Sequence, residues 1–203
     1  MKFAEYMDQT DLTVVYPETV ETDYLVHGIV DEAGELFEKT ECSHSEGLSF
    51  MDRAQGLPKL PFHMRTTEDN LSDFDELVKE LGDVLWYVAR FVKSEGLFRE
   101  DGEFNMPDPN EAVPSVMGVH VFQHVALGLL VTASKINGYR KKTHRDGEDY
   151  TEQFEEAIFE ILQSATLLAH CMGFRLSYVM EKNIDKLLDR GERGVIQGNG
   201  DNR

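Results

Sequence analysis

Cysteine is scarce: Cys42 and Cys171 are the two in 203 residues, far apart and without metal-site spacing. That excludes a disulfide framework and reads as reduced thiols. No apolar run is long enough to span a bilayer, and the opening Met1-Lys2-Phe3-Ala4-Glu5 lacks the apolar core of a signal peptide. The expectation is a cytoplasmic protein with no membrane partner. Basic residues are outnumbered 20 to 38 by acids, a formal net charge of −18, which argues against a nucleic-acid polymer as partner. It does not argue against a small phosphate compound held by a metal. Apolar residues at 41% and charged residues at 29% are ordinary for a globular chain, and the length suffices for one domain with a core.

No hairpin signal is present, and the periodicity is helical. From about Asp23 to Lys39, Leu25, Ile29, Val30, Ala33, Leu36 and Phe37 follow helical spacing. Residues 40–70 turn irregular, with Gly47, Gly56, Pro58 and Pro61, and are read as a long loop. A second helix is expected from Ser72 to Ser94, capped by Ser72 or Asp73 and ended by Gly96. Residues 99–115, with three prolines, read as a connector. Further helices are expected over about 117–141, 150–172 and 174–190, before a glycine-rich tail from Gly191. The class is an all-α bundle.

Two carboxylate motifs stand out: Glu32-Ala-Gly-Glu35 and Glu80-Leu-Gly-Asp83. A three-residue step places both acids of a motif on one helix face. If the two helices face each other, four carboxylates converge, an arrangement that a hard cation makes tolerable. Solvated surface acids are the plain alternative in a chain with 38 acids. Two details count against it. Gly34 and Gly82 sit inside the helices, where glycine costs roughly 1 kcal/mol relative to alanine, a cost usually tolerated where backbones or ligands approach closely. Both motifs are also flanked by apolar residues. Spacing alone leaves both readings open.

An internal repeat is visible. Val26-His27-Gly28-Ile29 resembles Ala126-Leu127-Gly128-Leu129, and Leu85–Gly96 resembles Leu162–Gly173. In this alignment Glu32, Glu35, Glu80 and Asp83 correspond to Thr132, Lys135, Ala157 and Glu160. The chain then reads as a pseudo-dimer within a single domain, 1–203, with an intact copy over 1–98 and a degenerate one over 117–203. Loose alignment of any two amphipathic helix pairs is the alternative.

Other constellations weigh less. His120 and His124 have the spacing of a helical zinc pair, but residue 121 is not Glu and no third ligand is evident. His124 is expected to face the bundle and His120 solvent. A di-iron site needs paired Glu-x-x-His motifs, and Glu41-Cys42-Ser43-His44, in the expected loop, is the one match. The basic run Arg140-Lys141-Lys142-Thr143-His144-Arg145 either balances a helix C-terminus or reaches a phosphate across the pseudo-dimer interface. Trp86, the sole tryptophan, either stacks on a base or fills the core.

The segments His27 to Lys39 and Lys79 to Tyr87 resemble the MazG-like all-α NTP pyrophosphohydrolases, which pair an ExxE with an ExxD motif on facing helices. The opening Phe3-Ala4-Glu5-Tyr6 through Val15-Tyr16-Pro17-Glu18 is similar to the family's N-terminal segment. The close, from Asn183-Ile184-Asp185-Lys186-Leu187 to Arg203, also resembles many members. The resemblance implies Mg²⁺ (or Mn²⁺ as substitute) held by Glu32, Glu35, Glu80 and Asp83, and cleavage of a nucleoside triphosphate to the monophosphate and pyrophosphate. Glu35 or Glu38 would accept the proton from water, though Glu38 equally suits a surface position beside Lys39. Lys39, Asn183, Lys186 and Arg190 fall where the family suggests phosphate or sugar contacts. The loop between the motifs is longer than usual for the family. The duplication is closer to the dimeric-type dUTPases of the same superfamily, which leaves base preference and a homo-oligomer open. A non-catalytic nucleotide-binding or interaction protein is the reading from a different class.

Overall fold

A computed structural model describes residues 1–17, 19, 21–41, 67–97 and 119–195, and all regular structure among them is helical. The elements are α1 (Phe3–Thr10), a 3₁₀ turn (Asp11–Thr13), α2 (Glu21–Glu41), α3 (Thr67–Ser94), α4 (Val119–Asp146), α5 (Thr151–Cys171) and α6 (Leu176–Glu192). The all-α class expected from the periodicity is what the chain adopts. The expected loop at 40–70 falls largely outside the described residues, as do Cys42, the 99–115 connector and the end of the tail.

Each helix follows from its apolar spacing. In α2 the buried stripe runs Leu25, Ile29, Ala33, Leu36, steps of three and four that keep one face inward. Helix α3 buries residues on nearly every side, including Leu77, Leu81, Leu85, Val88, Phe91 and Val92, because it sits at the centre. It packs against α1, α2, α5 and α6, while α4 lies between α2 and α5. Fully burying a leucine or isoleucine contributes roughly 1.5–3 kcal/mol, so the continuous cluster along these stripes is the main source of stability. α3 ends as expected at Gly96, whose φ of +63° is open to glycine. The Leu97 N–H then donates to the Val92 carbonyl at 3.0 Å, closing the helix end.

The structure departs from the sequence reading in three places. Helix α1 was not foreseen: eight residues hold its short stripe of Phe3, Tyr6, Met7 and Thr10, and it exists by packing on α3 and α6. Helix α3 begins at Thr67, so Ser72 and Asp73 are inside it rather than capping it. His124 is exposed, because the inward stripe of α4 is Phe122, Ala126, Leu129, Ala133 and Ile136, and position 124 falls on the opposite face. Cys171 is an unpaired, half-buried thiol, as expected; burial pushes its pKa up to about 11, which keeps it protonated. No single described helix is long and apolar enough to cross a membrane.

Candidate metal and nucleotide site

The site is built by the register of two antiparallel helices. Gly28 of α2 lies under the ring of Tyr87 of α3, so close that a Cβ on residue 28 would stand 2.1 Å from the ring. One turn further along α2 is Glu32, and one turn back along α3 is Asp83. Two turns beyond Glu32, the long side chain of Lys39 reaches an ion pair with Glu80, one turn before Asp83 on α3. Moving along one helix by a turn moves back along the other by a turn, which is why the two motifs meet.

Glu32, Glu80 and Asp83 each offer a carboxylate oxygen, all within 4.8 Å of one another. Glu80 is 2% exposed. Glu35 is outside that trio and on the exposed side of α2, yet its charge is felt at Glu32. Burial raises the Glu32 pKa to about 9, with the charges of Asp83, Glu80 and Glu35 adding to the rise and Lys186 opposing it. A carboxyl held that high marks a site short of positive charge. Hard oxygen donors, partly buried and mutually repelling, suit a hard divalent cation. Glu38 is exposed.

Helix α6 supplies the other side. Asn183 Nδ2 donates to Asp83 Oδ1 at 2.8 Å, and Lys186 Nζ donates to Asp83 Oδ2 at 2.5 Å. Gly82 permits this approach, since a Cβ there would lie 2.9 Å from the Asn183 Cβ. Gly34 meets nothing within 4 Å, so close packing explains Gly82 but not Gly34. Arg190, one turn beyond Lys186, is buried at 4% exposure.

Trp86 lies in the core. Its Nε1 donates to Thr13 Oγ1 at 2.8 Å, and its ring meets Tyr87 and Tyr16 edge-on at 4.9 and 6.1 Å. The aromatic side chain that the carboxylates act on is Tyr87, whose hydroxyl is 3.2 Å from that of Tyr24. Burial, with Tyr24, Glu32 and Asp83 adding, pushes the Tyr87 phenol upward. Nothing in the sequence singled out this pair; Gly28 was the available signal, as a helical glycine one turn before Glu32. Tyr6 was also missed, and its hydroxyl reaches Asn183.

The basic run is tied down elsewhere. Arg140 Nε and His144 Nε2 both meet Asp23 Oδ1, at 2.8 and 3.0 Å, near the start of α2. Lys142 lies over the rings of Tyr139 and Tyr150, and Arg145 pairs with Asp146. In the second half, Thr132 and Lys135 both reach Glu160 Oε2, at 3.1 and 3.2 Å, and Ala157 is buried. The aligned positions therefore meet there as one carboxylate with one ammonium.

Comparison with known proteins points the same way. A family model, the MazG nucleotide pyrophosphohydrolase domain, matches residues 21–111. The Gene 37 protein of Mycobacterium phage L5 is 34% identical over 85 residues, spanning 39% of this chain and 75% of that protein. No solved structure matches.

Proposed function

Since this chain belongs to the MazG nucleotide pyrophosphohydrolase family, we propose that it hydrolyses a nucleoside triphosphate, ribo or deoxy, to the monophosphate and pyrophosphate with Mg²⁺ as cofactor. The observation that carries this reading is the convergence of Glu32, Glu80 and Asp83 within 4.8 Å, with Glu35 close enough to act on Glu32. These four side chains would hold the cation, with Mn²⁺ as a substitute. A bound divalent ion supplies charge neutralisation at phosphate oxygens and a water of lowered pKa.

The chain's own residues have distinct tasks. Glu35, on the exposed side of the cluster, accepts the proton of the attacking water, and Glu38, also exposed, is the alternative acceptor. Lys39 and Lys186 balance Glu80 and Asp83 and would contact the triphosphate, with Asn183 and Arg190 on the same helix as Lys186. Phosphoryl transfer rests on positioning and charge neutralisation, so a Ser or Cys nucleophile is not needed. For base stacking the exposed edge of Tyr24 and Tyr87 is better placed than Trp86, which is 7% exposed.

We further propose that the chain is an internally duplicated single domain with one working site. The Thr132, Lys135 and Glu160 cluster supports that, since a lysine stands where the first half has a carboxylate. The protein is then a cytoplasmic enzyme of nucleotide metabolism, alone or as a homo-oligomer. The test is a panel of NTPs and dNTPs, dUTP included, scored for Mg²⁺-dependent pyrophosphate. Release from several substrates supports the proposal, and release from dUTP alone assigns a dUTPase-like specificity. Metal-dependent nucleotide binding without product would make the chain a nucleotide-binding protein, and no release from any substrate by folded protein overturns the enzymatic reading.

A further inference from the structure

We infer that Tyr6 is a positioning residue for the carboxylate cluster, holding Asp83 in place through Asn183. The inference rests on the reading that the cluster binds a divalent cation. Tyr6 is wholly buried on α1. Its hydroxyl lies 2.8 Å from Asn183 Oδ1 and 3.4 Å from the Gly82 carbonyl. Asn183, 2% exposed on α6, lies 2.8 Å from Asp83 Oδ1 through its Nδ2.

The directions in this chain of hydrogen bonds follow from chemistry. An ionised carboxylate only accepts, so Asn183 must turn its NH₂ toward Asp83. Its carbonyl oxygen then faces Tyr6, and the phenol must donate. Each step determines the next, and a buried phenol without that near acceptor would keep only the longer contact with the Gly82 carbonyl.

The consequence falls on Asp83. Asn183 holds one of its oxygens and Lys186 the other, at 2.5 Å, which sets the plane of the carboxylate. A carboxylate oxygen has room for a further partner, so both oxygens remain able to face a cation in that plane. Gly82 belongs to the same device, because a side chain there would meet Asn183 at 2.9 Å. Tyr6 and Asn183 both lie outside residues 21–111, the segment that matches the family model. The support for Asp83 is thus built by helices flanking that segment.

The test measures Mn²⁺ affinity by calorimetry for the wild-type chain, Tyr6→Phe, Asn183→Ala and the double variant, with folding checked by circular dichroism. Removing such a supporting hydrogen bond typically costs about 10- to 100-fold in metal affinity. Tyr6→Phe is expected near the lower end of that range and Asn183→Ala at least as far. The double variant should be little weaker than Asn183→Ala alone, since Tyr6 then keeps only its longer contact with the Gly82 carbonyl, at 3.4 Å. A packing role for Tyr6 would instead leave the affinity of folded protein unchanged, or give losses that add in the double variant; either result overturns the inference. If Tyr6→Phe does not fold, Tyr6→Met replaces it in the same cycle: a loss of affinity that vanishes in the Asn183→Ala background upholds the relay, and an unchanged affinity or an additive loss overturns it. A wild-type chain that binds no divalent cation overturns both this inference and the reading beneath it. Wild-type binding with an unaffected Tyr6→Phe overturns the inference alone.

Discussion

On the proposed function, Glu32 would make metal binding and proton release one event. Its carboxyl, raised to about 9 by burial and by the charges of Asp83, Glu80 and Glu35, is protonated at neutral pH, whereas a cation requires the carboxylate. Binding below that pKa therefore expels about one proton, and apparent affinity should rise about tenfold, or ~1.4 kcal/mol, for each pH unit gained. Between pH 6 and pH 8 the gain is on the order of a hundredfold. The sign for the metal-free chain is opposite. From the ordinary glutamate value of 4.5 up to about 9 the folded state keeps a proton that the unfolded chain has lost, so this group lowers stability as pH rises through that window. Calorimetric titration with Mn²⁺, in buffers of differing ionisation enthalpy, counts the protons released and gives the affinity. Glu32→Gln should bind more weakly and lose the pH slope. A wild-type affinity flat from pH 6 to pH 8, without proton release, would refute the argument that Glu32 is held protonated within the cluster.

Further outcomes follow from the same contacts. Lys186→Met should move the pH dependence of Mn²⁺ binding upward, because Lys186 is the group that lowers the Glu32 pKa; a profile unmoved or shifted downward contradicts that. Gly82→Ala places a methyl 2.9 Å from the Asn183 Cβ, an overpacking cost of about 1–3 kcal/mol against roughly 1 kcal/mol of helix propensity regained, so a thermal melt should show a lower midpoint. Gly34→Ala meets no neighbour and should be stabilising by about 0.5–1 kcal/mol; a raised melting point with lost turnover would place substrate against that face. Acid titration of Asp11→Asn, compared with the parent chain, should show a smaller loss of stability at low pH. Hydrogen bonding to Lys93, with Arg90 adding, holds the Asp11 carboxyl below the ordinary aspartate value of 3.8, so its contribution is present above that value and lost as pH falls through the lower, folded one.

The helices with long apolar stripes were legible because their periodicity is sustained over several turns: α2, α4, α5 and α6 lie within a few residues of where spacing puts them. Helix α1 was not, since eight residues carry too little pattern and its burial is decided by α3 and α6. The carboxylate motifs were legible as spacing and as family resemblance, but spacing could not rank their members. Glu35 and Glu32 look alike in the sequence, and only the packing of α2 on α3 half-buries Glu32 and leaves Glu35 exposed. The roles of Gly82 and Gly34 diverge for the same reason, because α6 passes one and nothing described passes the other. Trp86 illustrates the reverse: shared periodicity with Asp83 says nothing of the 3₁₀ turn whose Thr13 accepts the indole N–H.

The division of labour along the chain follows from charge. The segment matching the family carries the carboxylates and Lys39, while Asn183 and Lys186, which hold both oxygens of Asp83, come from α6. A cluster of three acids with Glu80 almost fully buried is tolerable without metal only where cations and hydrogen-bond donors meet it. Two lysines do so from opposite sides, one on α2 and one on α6. In the second half the single acid Glu160 already has Lys135 and Thr132, so the charge deficit that would draw in a cation is missing there. The same electrostatic rule thus accounts for an acidic cluster in one half and a self-contained ion pair in the other. Replacing Lys135 with Glu should leave Mn²⁺ stoichiometry at one per chain, because buried Ala157 withholds a ligand; a second bound equivalent in that variant would show that charge alone had kept the second half from binding metal.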